Sequence, residues 1–154
     1  MARVPFIGEE RSDLAPFIAR VKAERGKLIN LYRVLMNSPA IAAGWLDFNT
    51  VVRYKTSLDA ALREMIILRV SLLNGAEYQA KIHGASHALK AGLSADQIAA
   101  LDDWQNSTLF SPAQRAALAW TDAMTRQIEV PDALHNELKR HFNDQAVTEI
   151  TVLA

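Results

Sequence analysis

An all-α fold follows from three features of this 154-residue sequence. Apolar residues recur at three- and four-residue spacing over most of its length, and no stretch alternates with a period of two. Helix-start signals also recur: Ser38-Pro39, Ser94 with Gln97, and Ser111-Pro112 with Gln114. The length suits a single helical domain over 1–154 with short loops.

The elements follow in order. Pro16 sits well in the first turn of a helix that begins near Asp13 and runs to about Met36. The helix after Ser38-Pro39 carries Ile41, Trp45, Phe48 and Val52 at helical spacing. Ser57 is expected to cap the next helix, 58–73, and Asn74-Gly75 to break it. A helix over 76–91 should stop at Gly92, a natural left-handed cap, with Leu93 packing back. The two serine capping boxes open helices over 95–105 and 112–127, and Pro131-Asp132 opens one to about Arg140.

Composition narrows the function classes. Lys plus Arg equals Asp plus Glu, 17 against 17, so no basic excess favours nucleic acid or an anionic membrane. There is no cysteine, which removes disulfides, thiolate metal sites and cysteine nucleophiles. The opening MARVPFIGEERSD turns acidic too soon for a signal peptide, and Arg69 interrupts the central apolar run Met65–Leu68. The expected location is the cytoplasm, with no membrane partner. The three tryptophans, Trp45, Trp104 and Trp120, are expected in the core or at subunit contacts.

The helix over 58–73 is apolar nearly all round, with Leu62, Met65, Ile66, Ile67, Leu68, Val70, Leu72 and Leu73. Such a helix is central or lies at a subunit interface. Asp59, Ala61, Leu62, Glu64, Met65, Ile67 and Leu68 match Asp144, Ala146, Val147, Glu149, Ile150, Val152 and Leu153 at one offset. Chance accounts for so short a match as well as duplication does. Under duplication, the last residues begin a second copy of the buried helix, and the natural chain is expected to continue past residue 154.

Chemistry concentrates on the helix after Gly75. At about 100° per residue, Tyr78, Ile82, Ala85 and Leu89 form an apolar stripe, and Glu77 and Lys81 form an exposed i,i+4 pair. A third stripe holds Ala76, Gln79, His83 and His87, beginning where free N–H groups favour anions. Glu64, on the preceding apolar helix, must find a partner or lose its charge. A histidine of the next helix would serve, and a Glu–His pair fixes the imidazole tautomer and raises its basicity for proton transfer.

Bland readings stand beside these. Glu64 can pair with Arg63, Arg69 or an N-terminus, and His83 can be an interior hydrogen-bonded histidine. His87 reads first as a rim or interface residue, Gln79 equally as a helix cap, and Tyr78 as core. His83 and His87 have a two-ligand metal spacing without the Glu that would follow the first His, so no metal is expected.

The stretch LREMIILRVSLLNGAEYQAKIHGASHALKAGLSADQI, 62–98, resembles the carboxymuconolactone decarboxylase and alkylhydroperoxidase D-like family. The peroxidase branch has a Glu, then Asn-Gly, a C-x-Y-C pair and a following His. Glu64, Asn74, Gly75, Tyr78 and His83 fall in those places, with Ala76 and Gln79 at the cysteine positions. The resemblance extends over about 38–154. It implies an alkylhydroperoxidase D-like helical bundle, assembled as a trimer or hexamer.

Without a peroxidatic and a resolving thiol, the thiol peroxidase mechanism does not transfer. What the decarboxylase side implies is a lyase acting without a cofactor on a small carboxylated lactone from aromatic catabolism. His83 would donate the proton and Glu64 would orient it. Gln79, His87 and the N–H groups near Ala76 would bind the oxyanion or the substrate carboxylate. The alternative, from another class, is a non-catalytic oligomeric protein that binds a small ligand on the same fold.

Overall fold

The computed structural model describes residues 3–76 and 83–154, with the side chains of 83–85 outside the description. Every regular element among the described residues is helical, and none is a strand. They form two compact units, Met1–Lys55 and Thr56–Ala154.

In the first unit a short 3-10 turn, Ser12–Leu14, leads into α1, Ala15–Arg25. Then come α2, Asn30–Leu35, and α3, Pro39–Tyr54. The single helix expected from Asp13 to Met36 is therefore two. Gly26 adopts the left-handed conformation at φ 78°, and its N–H closes α1 on the Lys22 carbonyl at 2.8 Å. An L-residue resists that φ, so glycine sets the break. Leu14, Ile18, Met36 and Ala42 form one core cluster, and Val21, Tyr32 and Leu46 another. A polar clasp ties α1 to α3: Arg25 Nη2 donates to Thr50 Oγ1 at 2.5 Å, and that hydroxyl donates to Glu24 Oε2 at 2.7 Å. Ile41, Trp45 and Phe48 of α3 stay exposed, and Ala42 and Leu46 fill the core in their place.

The second unit contains α4, Ala60–Leu73, a π-helical turn at His83–Ala88, and α5, Ala95–Ala100. A 3-10 turn at Trp104–Asn106 follows. The unit ends with α6, Pro112–Gln127, α7, Asp132–His141, and α8, Asp144–Leu153. α4 packs against α6, the π turn and α8, and α6 also packs against α7 and α8. Its Leu62, Met65, Ile66 and Leu68 join Leu101, Trp104, Leu118, Leu138 and Ile150 in the main core. The all-round apolar α4 is thus buried by neighbours of its own unit.

The caps explain where these helices start and stop. Asp59, not Ser57, caps α4, accepting from the N–H groups of Ala61 and Leu62. A carboxylate one residue before the helix reaches those donors, whereas Ser57 bonds Glu149 instead. Both serine boxes form, with Ser94 and Gln97 on α5 and Ser111 and Gln114 on α6 exchanging side-chain bonds with backbone N–H groups. Gly92 takes φ 102°, Leu93 N–H donates to Ala88 C=O at 3.0 Å, and Leu93 is buried, as the sequence anticipates. α5 ends at Ala100 instead of extending to 105, and the chain tightens into the 3-10 turn.

The two matching segments are both helices and pack against each other as α4 and α8. Met65 and Ile150, equivalent in the match, are both fully buried.

Candidate functional site

α4 supplies the carboxylate. Glu64 lies one turn into this helix and is only 5% exposed. Burial of a carboxyl among Leu62, Met65 and Leu68 makes its partner decisive for its charge. The start of α4 is held from outside the helix. Glu149 Oε2 of α8 accepts from Ser57 N–H at 2.9 Å and from Ser57 Oγ at 2.8 Å, two residues before the Asp59 cap. Burial acts to raise the Glu149 pKa, but hydrogen bonds from Gln145, Ser57 and the Leu58 backbone outweigh it and hold the carboxyl below the ordinary Glu range.

The end of α4 is a Schellman cap. Gly75 takes φ 62°, its N–H donates to Leu72 C=O at 3.1 Å, and Ala76 N–H donates to Ser71 C=O at 2.8 Å. The sequence suggested N–H groups near Ala76 open to an anion, but that of Ala76 itself is committed to the cap.

Where an unbroken α-helix over 76–91 is expected, the described part begins as a π turn, His83–Ala88. Gly84 carries no Cβ to resist the wider turn. Single π turns inside helices recur at functional sites, and this one carries both candidate histidines. His87 is exposed, in keeping with a rim position. Gln79, Tyr78 and the Glu77–Lys81 pair lie outside the described residues, as does the His83 side chain. Among the described residues no group of three or more His, Asp or Glu side chains is placed to hold a metal, and no helix is long and apolar enough to cross a membrane.

A second polar centre escaped the sequence reading. Arg69, five residues after Glu64 and 2% exposed, donates from Nε to Asp122 Oδ1 at 2.6 Å and from Nη2 to Oδ2 at 2.8 Å. Its Nη1 donates to the carbonyls of Leu101 and Asp102 at 2.9 and 3.0 Å. Trp104 Nε1 and Gln105 Nε2 also donate to Asp122 Oδ2, at 3.2 and 3.3 Å. The signal in the sequence was Arg69 interrupting the central apolar run of α4. Its partner lay 53 residues away, and no local spacing links them. Asp122 also lines a cleft of about 400 Å³ along α6, bounded by Ala119, Ala123, Arg126, Pro131 and Leu134.

Comparison with known proteins places this arrangement. The carboxymuconolactone decarboxylase family model matches residues 39–123, which takes in α3, α4 and most of α6. The uncharacterized protein YnjA of Escherichia coli is 34% identical over 111 residues, spanning 71% of this chain and 58% of the relative. The structure of ATU0492 from Agrobacterium tumefaciens superposes with TM-score 0.71 at 28% identity. That match covers 78% of this chain and 82% of the other. The AhpD core structure of a peroxidase-related protein from Ralstonia eutropha JMP134 gives TM-score 0.75 at 25% identity, over 98% and 82% of the two chains. The chain thus spans little more than half the length of its E. coli relative while sharing the AhpD-like all-α fold. Fold, family match and the sequence around Glu64 agree: this chain belongs to the carboxymuconolactone decarboxylase family.

Proposed function

We propose that the chain is an acid–base lyase that removes carbon dioxide from a small carboxylated lactone of aromatic catabolism. The observation that carries this reading is Glu64: a carboxylate 5% exposed, on the central helix of a family member with no cysteine. A thiol pair cannot do the chemistry here, so the remaining groups suited to proton transfer are Glu64 and the histidines of the π turn.

In the proposed reaction the bond from carbon to the carboxylate breaks, carbon dioxide leaves, and its electron pair enters the conjugated lactone. Negative charge grows on the carbonyl oxygen, where Gln79 and His87 donate hydrogen bonds. His83 then delivers a proton to the dienolate carbon, with Glu64 orienting its imidazole. Ala76, in a place where a thiol would stand in the peroxidase branch, leaves room for the substrate. The route needs no cofactor.

Self-association as a trimer or hexamer is part of the same proposal. Ile41, Trp45 and Phe48 expose an apolar stripe on α3, and Trp45 is 42% exposed. Large apolar side chains grouped on a surface mark contact sites.

The test pairs a titration with an assay. In 15N NMR, the His83 pKa should fall in Glu64→Gln relative to wild type. Carboxylated lactones should lose their conjugated absorbance and release carbon dioxide with wild type, and at least about tenfold more slowly with Glu64→Gln or His83→Asn. Saturable lactone binding without carbon dioxide release would instead establish the non-catalytic binding protein.

A further inference from the structure

The cleft along α6 has the makings of a ligand site outside the one already described. Its volume, about 400 Å³, falls within the usual range for small-molecule pockets. Its lining combines apolar surface from Ala123, Pro131, Leu134 and Trp104 with the polar side chains of Arg126, Gln105 and Gln127. Just past Gln127 the chain turns tightly: Ile128 has φ 67° and ψ −48°, and Glu129 N–H donates to Gln127 C=O at 2.7 Å. This is a γ-turn of the rare, strained hand.

Charge in the cleft has a definite sign. Arg126 lies one turn after Asp122 on α6, the i,i+4 spacing at which an Asp and an Arg ordinarily pair. Asp122 is already claimed, since its two oxygens accept four hydrogen bonds, two of them from the buried Arg69. The two-point pairing with the Arg69 guanidinium balances the carboxylate's charge. Among the described residues Arg126 has no ion-pair partner, although it lines the cleft. The cleft thus offers one uncompensated guanidinium beside an apolar wall. A guanidinium fork matches a carboxylate at two points, and an apolar wall rewards a flat hydrocarbon body.

We propose that this cleft is a binding site for a small organic carboxylate with a flat apolar body. The carboxylate sits on Arg126 and the body lies against Ala123, Pro131 and Leu134. The site does not depend on the proposed lyase chemistry, because none of its residues belongs to the Glu64 and π-turn group.

The test uses the full chain and the indole N–H signal of Trp104 in 15N–1H NMR, assigned with Trp104→Phe, at constant ionic strength. Sodium benzoate should shift this signal saturably while leaving the Trp45 indole in place. Inorganic phosphate, which lacks the apolar body, and benzyl alcohol, which lacks the charge, should each bind at least about tenfold more weakly. Arg126→Gln should weaken benzoate about tenfold, and Glu64→Gln should leave it unchanged. The exposed position of Arg126 lets its variants fold, and an unshifted Trp104 signal in the free variant confirms it. The proposal is overturned by an unsaturable benzoate response, by equal binding in Arg126→Gln, or by phosphate or benzyl alcohol binding as tightly as benzoate. A Glu64→Gln effect as large as that of Arg126→Gln also overturns it, because benzoate would then be occupying the other site.

Discussion

Arg69 and Asp122 meet at two points, Nε to Oδ1 at 2.6 Å and Nη2 to Oδ2 at 2.8 Å, and so pin α4 to α6. The Arg69 side chain is 3% exposed and that of Asp122 is 13% exposed, so water screens the pair little. Breaking such a pair leaves a buried charge without compensation. Asp122→Ala should destabilise the fold by about 3–5 kcal/mol, whereas Arg69→Met combined with Asp122→Leu should cost markedly less than the two single changes summed. Urea unfolding of Asp122→Ala, the two single changes and their double measures this. A loss below about 1 kcal/mol for Asp122→Ala would place the pair among the weak surface bridges.

Glu149 ties stability to pH. Its carboxyl is held below the ordinary Glu range by hydrogen bonds from Gln145 and Ser57 that exceed the cost of burial. A group whose folded pKa is depressed adds stability above its unfolded pKa and loses it as pH falls through the folded value. Glu149→Gln should therefore be less stable than wild type at about pH 7, and the gap should narrow toward about pH 3. Urea midpoints at the two pH values decide it, and a gap that does not change with pH counts against the Ser57–Glu149 bond as its source.

Ile128 holds a positive φ of 67° while 83% exposed, so it accepts backbone strain without a burial reward. Glycine adopts that φ freely. Ile128→Gly should relieve strain worth about 1–3 kcal/mol, partly offset by the extra entropy of the unfolded chain. The expected net is a rise in Tm of about 2–4 °C. A fall in Tm would show that the Ile128 side chain makes a stabilising contact.

The exposed α3 stripe should govern assembly. Trp45→Glu combined with Phe48→Glu should lower the mass seen in sedimentation equilibrium while leaving the helical circular dichroism intact. The core of this unit rests instead on Ala42 and Leu46. An unchanged mass would move the contact to another face.

Ser94→Ala and Ser111→Ala should each cost about 1 kcal/mol, since each removes the oxygen that accepts from an N3 backbone N–H. Thermal melts suffice. Little change for either would mean that water replaces the lost cap.

Local chemistry was legible in the sequence wherever one or two turns of chain decide the outcome. The all-α class, the Ser94 and Ser111 boxes, the Gly92 stop with Leu93 folded back and the break at Asn74-Gly75 all depend on residues within a few positions of one another. The family match followed from the same kind of contiguous text. Glu64 also read correctly as a carboxylate on an apolar helix, because the pattern alone forces its burial.

The tertiary structure decided what depends on groups far apart in the chain. Gly26 stands within a helical pattern, and its left-handed turn is what lets Ile18 and Val21 pack with Met36 and Tyr32. Ser57 looked like a cap until Glu149, 92 residues away, claimed it. Trp45 and Ala42 lie on the same helix, yet which of them faces the core was set by α1 and α2. Arg69 meets Asp122 across two helices, and among the described residues Arg126 is left without an ion-pair partner in its cleft. Sequence periodicity fixes the direction of a side chain around its own helix. Which partner it meets depends on distances between elements, and those exist only once the chain has folded.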